Sequence, residues 1–327
     1  MATGSLPLAQ RAAVVCNPVK VDPQRLRRAV DEAARQAGWA ATLWFETSEQ
    51  DPGGGATAEA IERDVDLVIA AGGDGTVRAV AEGLRGSEVP LGLVPAGTGN
   101  LLARNLELPL SGLGPSLRIA FGAGERAIDL GIAEIQRHGA TEPEQHVFLV
   151  MAGLGLDAKM IKNTSSRLKK AVGWLAYVDG AARSLPEMKP IRLRLRLDEN
   201  QSRQVSAHTV LIGNCGVLPG GVLLMPDAEP DDGLLDIAIL RPRGRLGWLK
   251  VWRKITWENG VLRKTVIGRR IIDLSRDARD LLYQRAAAVE LRVEQPQEFQ
   301  LDGDEFGEAA TLRAFTEHRA LRVKVPA

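Results

Sequence analysis

An apolar run from Asp66 to Ala71 passes directly into Gly72-Gly73-Asp74-Gly75-Thr76 and then into a stretch of helical spacing that reaches Leu84. An apolar run without alternation is the pattern of a strand buried on both faces, which means a parallel sheet covered by helices. The glycines leave backbone N–H groups able to face an anion, and the start of a helix adds partial positive charge to them. Thr76 has the hydroxyl to cap that helix. Asp74 is the odd member, because a carboxylate beside bound phosphates repels them unless it meets a cation or a reacting hydroxyl. No Gly-Lys-Ser/Thr follows, so this is not a P-loop, and the Gly-x-Gly-x-x-Gly spacing of dinucleotide sites is absent. Taken alone, the turn serves equally well as a tight connection with a helix cap.

A second turn of the same kind narrows the choice. Pro95-Ala96-Gly97-Thr98-Gly99-Asn100 follows the buried run Leu91–Val94 and opens another helical stretch. Two such turns at the same end of neighbouring parallel strands make a crevice, the place where ligands bind in open α/β sheets. Further strands are expected over Ala12–Cys16, ended by Asn17-Pro18 at that same edge, and over Thr42–Phe45. Helices are expected over Pro23–Gly38, with Leu26, Val30 and Ala33 on one side, and over Thr57–Arg63, after a loop at Asp51-Pro-Gly-Gly-Gly55. This alternation specifies an α/β layer.

The pattern changes after Ala127. Strand-like segments follow at Ile128–Ile135, His146–Met151, Ile191–Leu197, Val205–Gly213, Leu234–Leu240, Ala287–Val293, Phe299–Asp302, Thr311–Phe315 and Leu321–Val325. Arg192–Asp198 alternates strictly, the signature of a half-buried antiparallel strand. One helix is expected over Ser166–Leu185. Many strands with few helices specify a sandwich-like domain. The chain therefore reads as an α/β domain over residues 10–128, completed by residues 312–327, and a β-rich domain over residues 129–311. In Met151–Asp157, Gly153 and Gly155 allow either the close approach of a substrate or close strand packing.

Among the 327 residues, 42 Lys and Arg against 41 Asp and Glu leave a formal charge of +1, which argues against a dedicated nucleic-acid binder. Cys16 and Cys215 lie in apolar runs and read as buried small hydrophobes, with no disulfide or zinc pattern. Met1–Gln10 has no basic region followed by an apolar run, and no segment reaches the roughly 18 apolar residues of a spanning helix. The expectation is a cytoplasmic protein associated peripherally with membranes. The sequence leaves a homodimer open.

The turns at 72–76 and 97–100, with Asn17-Pro18 and the late Leu301-Asp302-Gly303-Asp304, resemble the diacylglycerol kinase catalytic family. Its bacterial members are soluble lipid kinases, and sphingosine and ceramide kinases are relatives. The resemblance runs over nearly the whole chain. More distant NAD kinases and phosphofructokinases share the first turn, so the resemblance implies an N-terminal domain of their type. Typical NAD kinases also carry an Asn-Glu dipeptide that contacts substrate, and no asparagine here is followed by Glu.

The resemblance implies ATP held by Asn17, Thr47, Gly72, Gly73, Asp74, Gly75, Thr76, Val77 and Arg78, with Gly97, Thr98, Gly99 and Asn100. It implies a structural Mg²⁺ with ligands spaced n, n+3 and n+5, here the Glu229 backbone, the Asp232 carboxylate and the Leu234 backbone. Hard oxygen donors suit that ion, although the same acidic run also reads as a solvated turn. Phosphoryl transfer further needs a group that orients or deprotonates the acceptor hydroxyl. The family's late motif is Asp-Gly-Glu, its Glu assigned as proton acceptor; here that position is Asp304, one methylene shorter. Asp304 ranks first as the base and Asp302 second, with Glu305 and Asp74 as further candidates.

A soluble kinase for a membrane lipid must touch the bilayer. Arg167, Lys169 and Lys170 with Trp174 and Tyr177, and the segment Arg241–Lys254 with Trp248, Trp252 and Trp257, suit an anionic membrane surface; they suit a solvated helix with inward tryptophans as well. The implied activity is ATP-dependent phosphorylation of a lipid hydroxyl, first of all diacylglycerol to phosphatidic acid. A sphingoid-type lipid kinase, a soluble-metabolite kinase of the NAD kinase type and a nucleotide-binding regulator without turnover are the alternatives.

Overall fold

Four parallel strands, β1 (Ala12–Cys16), β2 (Leu43–Glu46), β3 (Leu67–Gly72) and β4 (Leu91–Pro95), stand in the order β4-β3-β1-β2. They belong to a computed structural model that describes residues 9–155, 190–218, 222–242, 247, 277–278 and 280–327. The helix expected over 166–185 and the basic tryptophan segments, Arg241 apart, lie outside these residues. The chain divides into one compact unit made of residues up to Ile128 with Arg319–Ala327, and a second made of Asp129–His318.

In the first unit every residue of β1 and β3 is buried, as the unalternating apolar runs require. Val14 packs with Leu26 and Val30 of α1 (Pro23–Gln36) and with Leu117 of α5 (Leu113–Ala120). Val15 points to the other face, where it and Val80 approach Gly53 at the start of α2 (Gly54–Glu62) and beside α3 (Asp74–Gly83). Helices thus cover both faces. The end of β17 (Asp304–Lys324) adds a further parallel strand, with Val323 beside Leu91. There Lys324 is buried and donates to Glu125 at 2.7 Å and to the Gly122 carbonyl at 3.0 Å.

Three local expectations need correction. Gly54 and Gly55, expected in a loop, form the first turn of α2, because Asp51 accepts the N–H groups of Gly53, Gly55 and Ala56 at 2.9, 3.1 and 2.8 Å. Such a cap outweighs the poor helix propensity of glycine. Thr76 does not cap α3: Gly73 is the N-cap, with no side-chain bond, and the buried Thr76 packs over Gly72, whose missing Cβ leaves the room. The helix α5 was not anticipated, because Gly112, Gly114 and Pro115 obscure its period; Pro115 lies in its first turn, where its missing N–H does no harm.

Antiparallel pairing builds the second unit. One run of strands is β15 (Leu281–Ala286), β13 (Leu235–Leu240), β10 (Thr209–Gly213), β7 (Met151–Leu154) and the end of β16 (Ala288–Leu301). The start of β16 pairs instead with β8 (Ile191–Leu197), which pairs with β9 (Arg203–Ala207). The register of β16 against β17 breaks between Arg292 and Gln297, around Pro296, so one long strand serves two layers. Leu193, Leu195, Leu291, Leu154, Ile212 and Ile237 from the two layers share one core. The outer side of β8 carries the exposed Arg192, Arg194 and Arg196, in line with its strict alternation. β5 (Glu125–Gln136) and β6 (Glu144–Phe148) form a further hairpin, the short β11 (Val217–Leu218) and β12 (Val222–Leu223) pair with each other, and β14 (Asp277–Ala278) pairs with β15. Gly153 and Gly155 serve packing: a Cβ would come within 2.6 Å of Leu211 and 2.3 Å of the His208 carbonyl.

Candidate functional site

In the first unit the ends of four parallel strands line up. The N–H of Asn17 donates to Ala71 at 2.9 Å, that of Thr47 to Cys16 at 2.9 Å, and that of Ala96 to Gly72 at 2.8 Å. The ladder thus continues one residue past β1, β2 and β4, bringing Asn17, Thr47, Gly72 and the turn 97–100 to one edge. Thr47 is nearly buried, Thr98 is exposed, and the Asn17 side chain folds back to accept the Val19 N–H. A shallow hollow beside the two turns is lined by Asp74, Val77, Pro95, Asn100 and Leu102.

The two turns are in contact. A Cβ on Gly97 would sit 2.8 Å from the Gly73 Cα, and one on Gly99 would sit 2.5 Å from Asp74 Oδ2. Asp74, whose presence beside a phosphate turn had no account in the sequence, joins them: Oδ2 accepts the Asn100 N–H at 3.0 Å and Oδ1 the Leu101 N–H at 2.6 Å. Asn100, in the left-handed region at φ 47, turns its Oδ1 to the Gly97 N–H at 2.9 Å.

These bonds separate the helix starts at this edge. The positive end of a helix attracts a carboxylate or a phosphate alike. Asp22 holds the start of α1, Asp51 that of α2, and Asp74 that of α4 (Leu101–Asn105). Burial pushes the Asp51 carboxyl up, but the N–H groups of Gly53, Ala56, Gly55 and Gly54 together hold it below its ordinary range. The start of α3 has the glycine N-cap Gly73 and no side-chain cap. The turn 97–100, whose Gly97 and Asn100 N–H groups bond to side chains, as does the N–H of the next residue, Leu101, thus braces Gly72–Thr76.

In the second unit, Asp302 and Gly303 are the two central residues of a tight hairpin turn, with φ 50 and 90, closed by the pair Leu301 and Asp304. Positive φ at both positions is what an Asp-Gly hairpin turn demands. The buried Asp302 carboxylate accepts three backbone N–H groups, from Leu149 and Val150 at 2.8 Å and Met151 at 3.0 Å. Asp304 and Glu305 are exposed at the start of β17.

The acidic loop before β13 lies in the same unit. Asp232 accepts the Leu234 N–H at 2.9 Å and pairs with Arg285, which also meets Asp236 at 3.2 Å. Burial, above all, raises the Asp236 carboxyl to about 6; Arg285 lowers it, and Asp227 and Asp232 push it up again. Two carboxylates, Asp232 and Asp236, thus share one guanidinium, and Asp227 acts on Asp236 from nearby. The donors at Glu229, Asp232 and Leu234 are all oxygens, and carboxylate oxygens keep a second lone pair beside their present bonds. This set fits a hard cation such as Mg²⁺.

Sequence reasoning missed Asp129 and His318. Asp129, fully buried in β5, donates its N–H to the Pro230 carbonyl at 2.6 Å and accepts the Gly233 N–H at Oδ2 at 2.6 Å. Its Oδ1 lies 2.9 Å from His318 Nδ1. One signal was available: an acid inside the apolar run Ile128–Ile135. Its partners were not visible, since Asn214, Pro230, Gly233 and His318 lie 85 or more residues along the chain.

Residues 11–133 match the family model described as the diacylglycerol kinase catalytic domain, and residues 149–325 the one described as the YegS C-terminal NAD kinase beta sandwich-like domain. A Pseudomonas putida protein named "Probable lipid kinase YegS-like" is 30% identical over 97% of this chain and 96% of its own. A "Diacylglycerol kinase" of Mycobacterium tuberculosis is 31% identical over 61% of this chain, which spans only 62% of that relative's length. A crystal structure of a diacylglycerol kinase from Bacillus anthracis shares the fold, with a TM-score of 0.71 at 21% identity over 98% of each chain. With both models matched in order along one chain, this protein belongs to the diacylglycerol kinase catalytic family.

Proposed function

We propose that this protein is an ATP-dependent lipid kinase that phosphorylates the primary hydroxyl of diacylglycerol to give phosphatidic acid. The observation that supports it best is the pair of glycine turns joined by Asp74, with α3 starting on a glycine N-cap that has no side-chain cap, in a chain of a lipid kinase family. Phosphoryl transfer asks a protein mainly for positioning and for positive charge aimed at the phosphates. Gly72–Arg78 would hold the ATP phosphates, with Asn17, Thr47 and the brace at Gly97–Asn100 shaping the same edge. Bound by Glu229, Asp232 and Leu234, Mg²⁺ would supply a fixed positive charge among Asp227, Asp232 and Asp236.

Asp304 is our first choice for the group that takes the proton of the acceptor hydroxyl. Its carboxylate is exposed at the turn, whereas both oxygens of Asp302 hold backbone N–H groups. We read Asp302 as the residue that sets the turn from which Asp304 projects. A lipid acceptor implies work at a membrane surface; among the described residues no helix is long and apolar enough to cross a membrane.

The test is radiolabelled ATP with Mg²⁺ and a panel of lipids in mixed micelles, with NAD as a soluble acceptor. Label in diacylglycerol is expected. Label in a sphingoid base alone would move the acceptor, and label in NAD alone would make this a soluble-metabolite kinase. Intact ATP binding with label in none of them would end the kinase reading.

A further inference from the structure

Arg285 stands directly across the ladder from Asp236, in the paired strands β15 and β13. Its Nε donates to Asp236 Oδ2 at 3.2 Å, and its Nη2 donates to Asp232 Oδ2. The other oxygen of Asp232 accepts the Leu234 N–H at 2.9 Å. Exposure falls along this group of side chains, from 38% at Arg285 to 22% at Asp232 and 5% at Asp236. The guanidinium is thus the most open member, and the acid it faces across the ladder is buried.

We propose that Arg285 is a built-in counter-cation, which stands beside Asp232 in the place of a divalent cation, gives way when one enters, and so sets the affinity of the loop for Mg²⁺. A carboxylate as buried as that of Asp236 needs a positive partner, because an unpaired buried charge is strongly destabilising. In the metal-free chain the guanidinium is a partner of that kind. Asp232 Oδ2 keeps a lone pair that a cation can use. An ion held there would share its oxygen with a guanidinium, and like charges that close repel. The partly exposed arginine side chain has rotamers to swing into; the backbone carbonyls of Glu229 and Leu234 do not. This role rests on the proposed Mg²⁺ reading of Glu229, Asp232 and Leu234.

The experiment titrates Mg²⁺ against the thermal midpoint of the full chain, without ATP and at constant ionic strength, so that screening stays fixed. Arg285→Gln removes the charge and keeps an N–H donor; Arg285→Lys keeps the charge. Arg285→Gln should lower the metal-free midpoint and reach half of its Mg²⁺ shift at a several-fold lower concentration than wild type. Arg285→Lys should need about as much Mg²⁺ as wild type. In the wild type, nuclear magnetic resonance should show the Arg285 Nε proton exchanging faster with water as Mg²⁺ is added. The Nε proton of Arg137, held by Glu144 at 2.8 Å, is the reference and should not change. A response to Mg²⁺ in Arg285→Gln alone also supports the proposal, since the guanidinium then excludes the ion outright. A wild type that shifts with Mg²⁺ while Arg285→Gln needs as much or more overturns the proposal and leaves the metal reading standing. So does an Arg285→Lys variant that behaves like Arg285→Gln, because charge is then not the cause. An Arg285 Nε proton unmoved by saturating Mg²⁺ overturns it as well, and this readout decides if the variants do not fold. Midpoints of wild type and Arg285→Gln that both ignore Mg²⁺ end the metal reading and the proposal together.

Discussion

Asp74 Oδ1 accepts the Leu101 N–H at 2.6 Å, so a carboxylate in the first glycine turn holds the helix start of the second. Its other oxygen takes the Asn100 N–H at 3.0 Å. Replacing Asp74 with Ala leaves both N–H groups and the start of α4 without this acceptor. The expected loss is about 2 kcal/mol of unfolding stability, since bonds to a charged acceptor are worth about 1.5–3 kcal/mol. Urea unfolding gives the stability and ATP titration the binding. A variant with wild-type stability and wild-type affinity for ATP would show that the joint is dispensable.

Gly97 offers a sharper test of the contact between the turns. Its absent Cβ would lie 2.8 Å from the Gly73 Cα, and backbone cannot step aside as a side chain can. Gly97→Ala should force the turns apart and weaken ATP binding roughly tenfold or more, on the order of a 1–3 kcal/mol overpacking penalty. Calorimetric titration with ATP measures this, and an unchanged dissociation constant would mean that the spacing of the turns does not set the site.

Asp302 and Asp304 stand two residues apart yet should fail differently. Asp302→Ala leaves three N–H groups of residues 149–151, two of them buried, without their acceptor, so stability should fall by about 3 kcal/mol or more, and activity with it. Asp304→Ala changes an exposed side chain; the thermal midpoint should stay near wild type, while turnover should drop on the order of 10²–10⁴-fold, the worth of a general base. Unchanged turnover in the Asp304 variant would pass the role to Glu305 or Asp74.

The raised Asp236 gives a pH prediction for metal-free protein. Burial raises its carboxyl to about 6 in the folded chain against an ordinary 3.8, so between these values the folded state binds more protons than the unfolded one. Stability then falls as pH rises through that window. In chelator, the urea midpoint should decline from pH 4 to pH 6, and Asp236→Asn should remove that part of the slope. If Mg²⁺ binds the neighbouring loop, its charge should favour the ionised form and flatten the wild-type curve. A wild-type slope that survives in Asp236→Asn would assign the titration elsewhere.

Both halves of the architecture were legible in the chain for the same reason: burial on two faces erases alternation, and burial on one face enforces it. Leu67–Gly72 and Ile191–Leu197 show the two cases. The glycine turns were legible because few residues besides glycine tolerate another backbone within 3 Å. Long strands were read as fragments, since Pro296 and the register breaks of β16 interrupt the local pattern without ending the strand. Helix α2 was begun late, because its cap is a carboxylate two residues before the assigned N-cap.

The residues and their order thus determined two domain types, the strand-turn-helix units and the acidic segments, because each depends on neighbours within a dozen positions. What those acids do was decided by tertiary structure alone. Asp74 bonds to residues 26 and 27 positions on, Asp302 to one 153 positions back, and Asp129 to one 189 positions on. A carboxylate looks the same in sequence whether it braces a turn or takes a proton. The difference is which N–H groups the fold brings to its oxygens, and separations of that length leave no local trace.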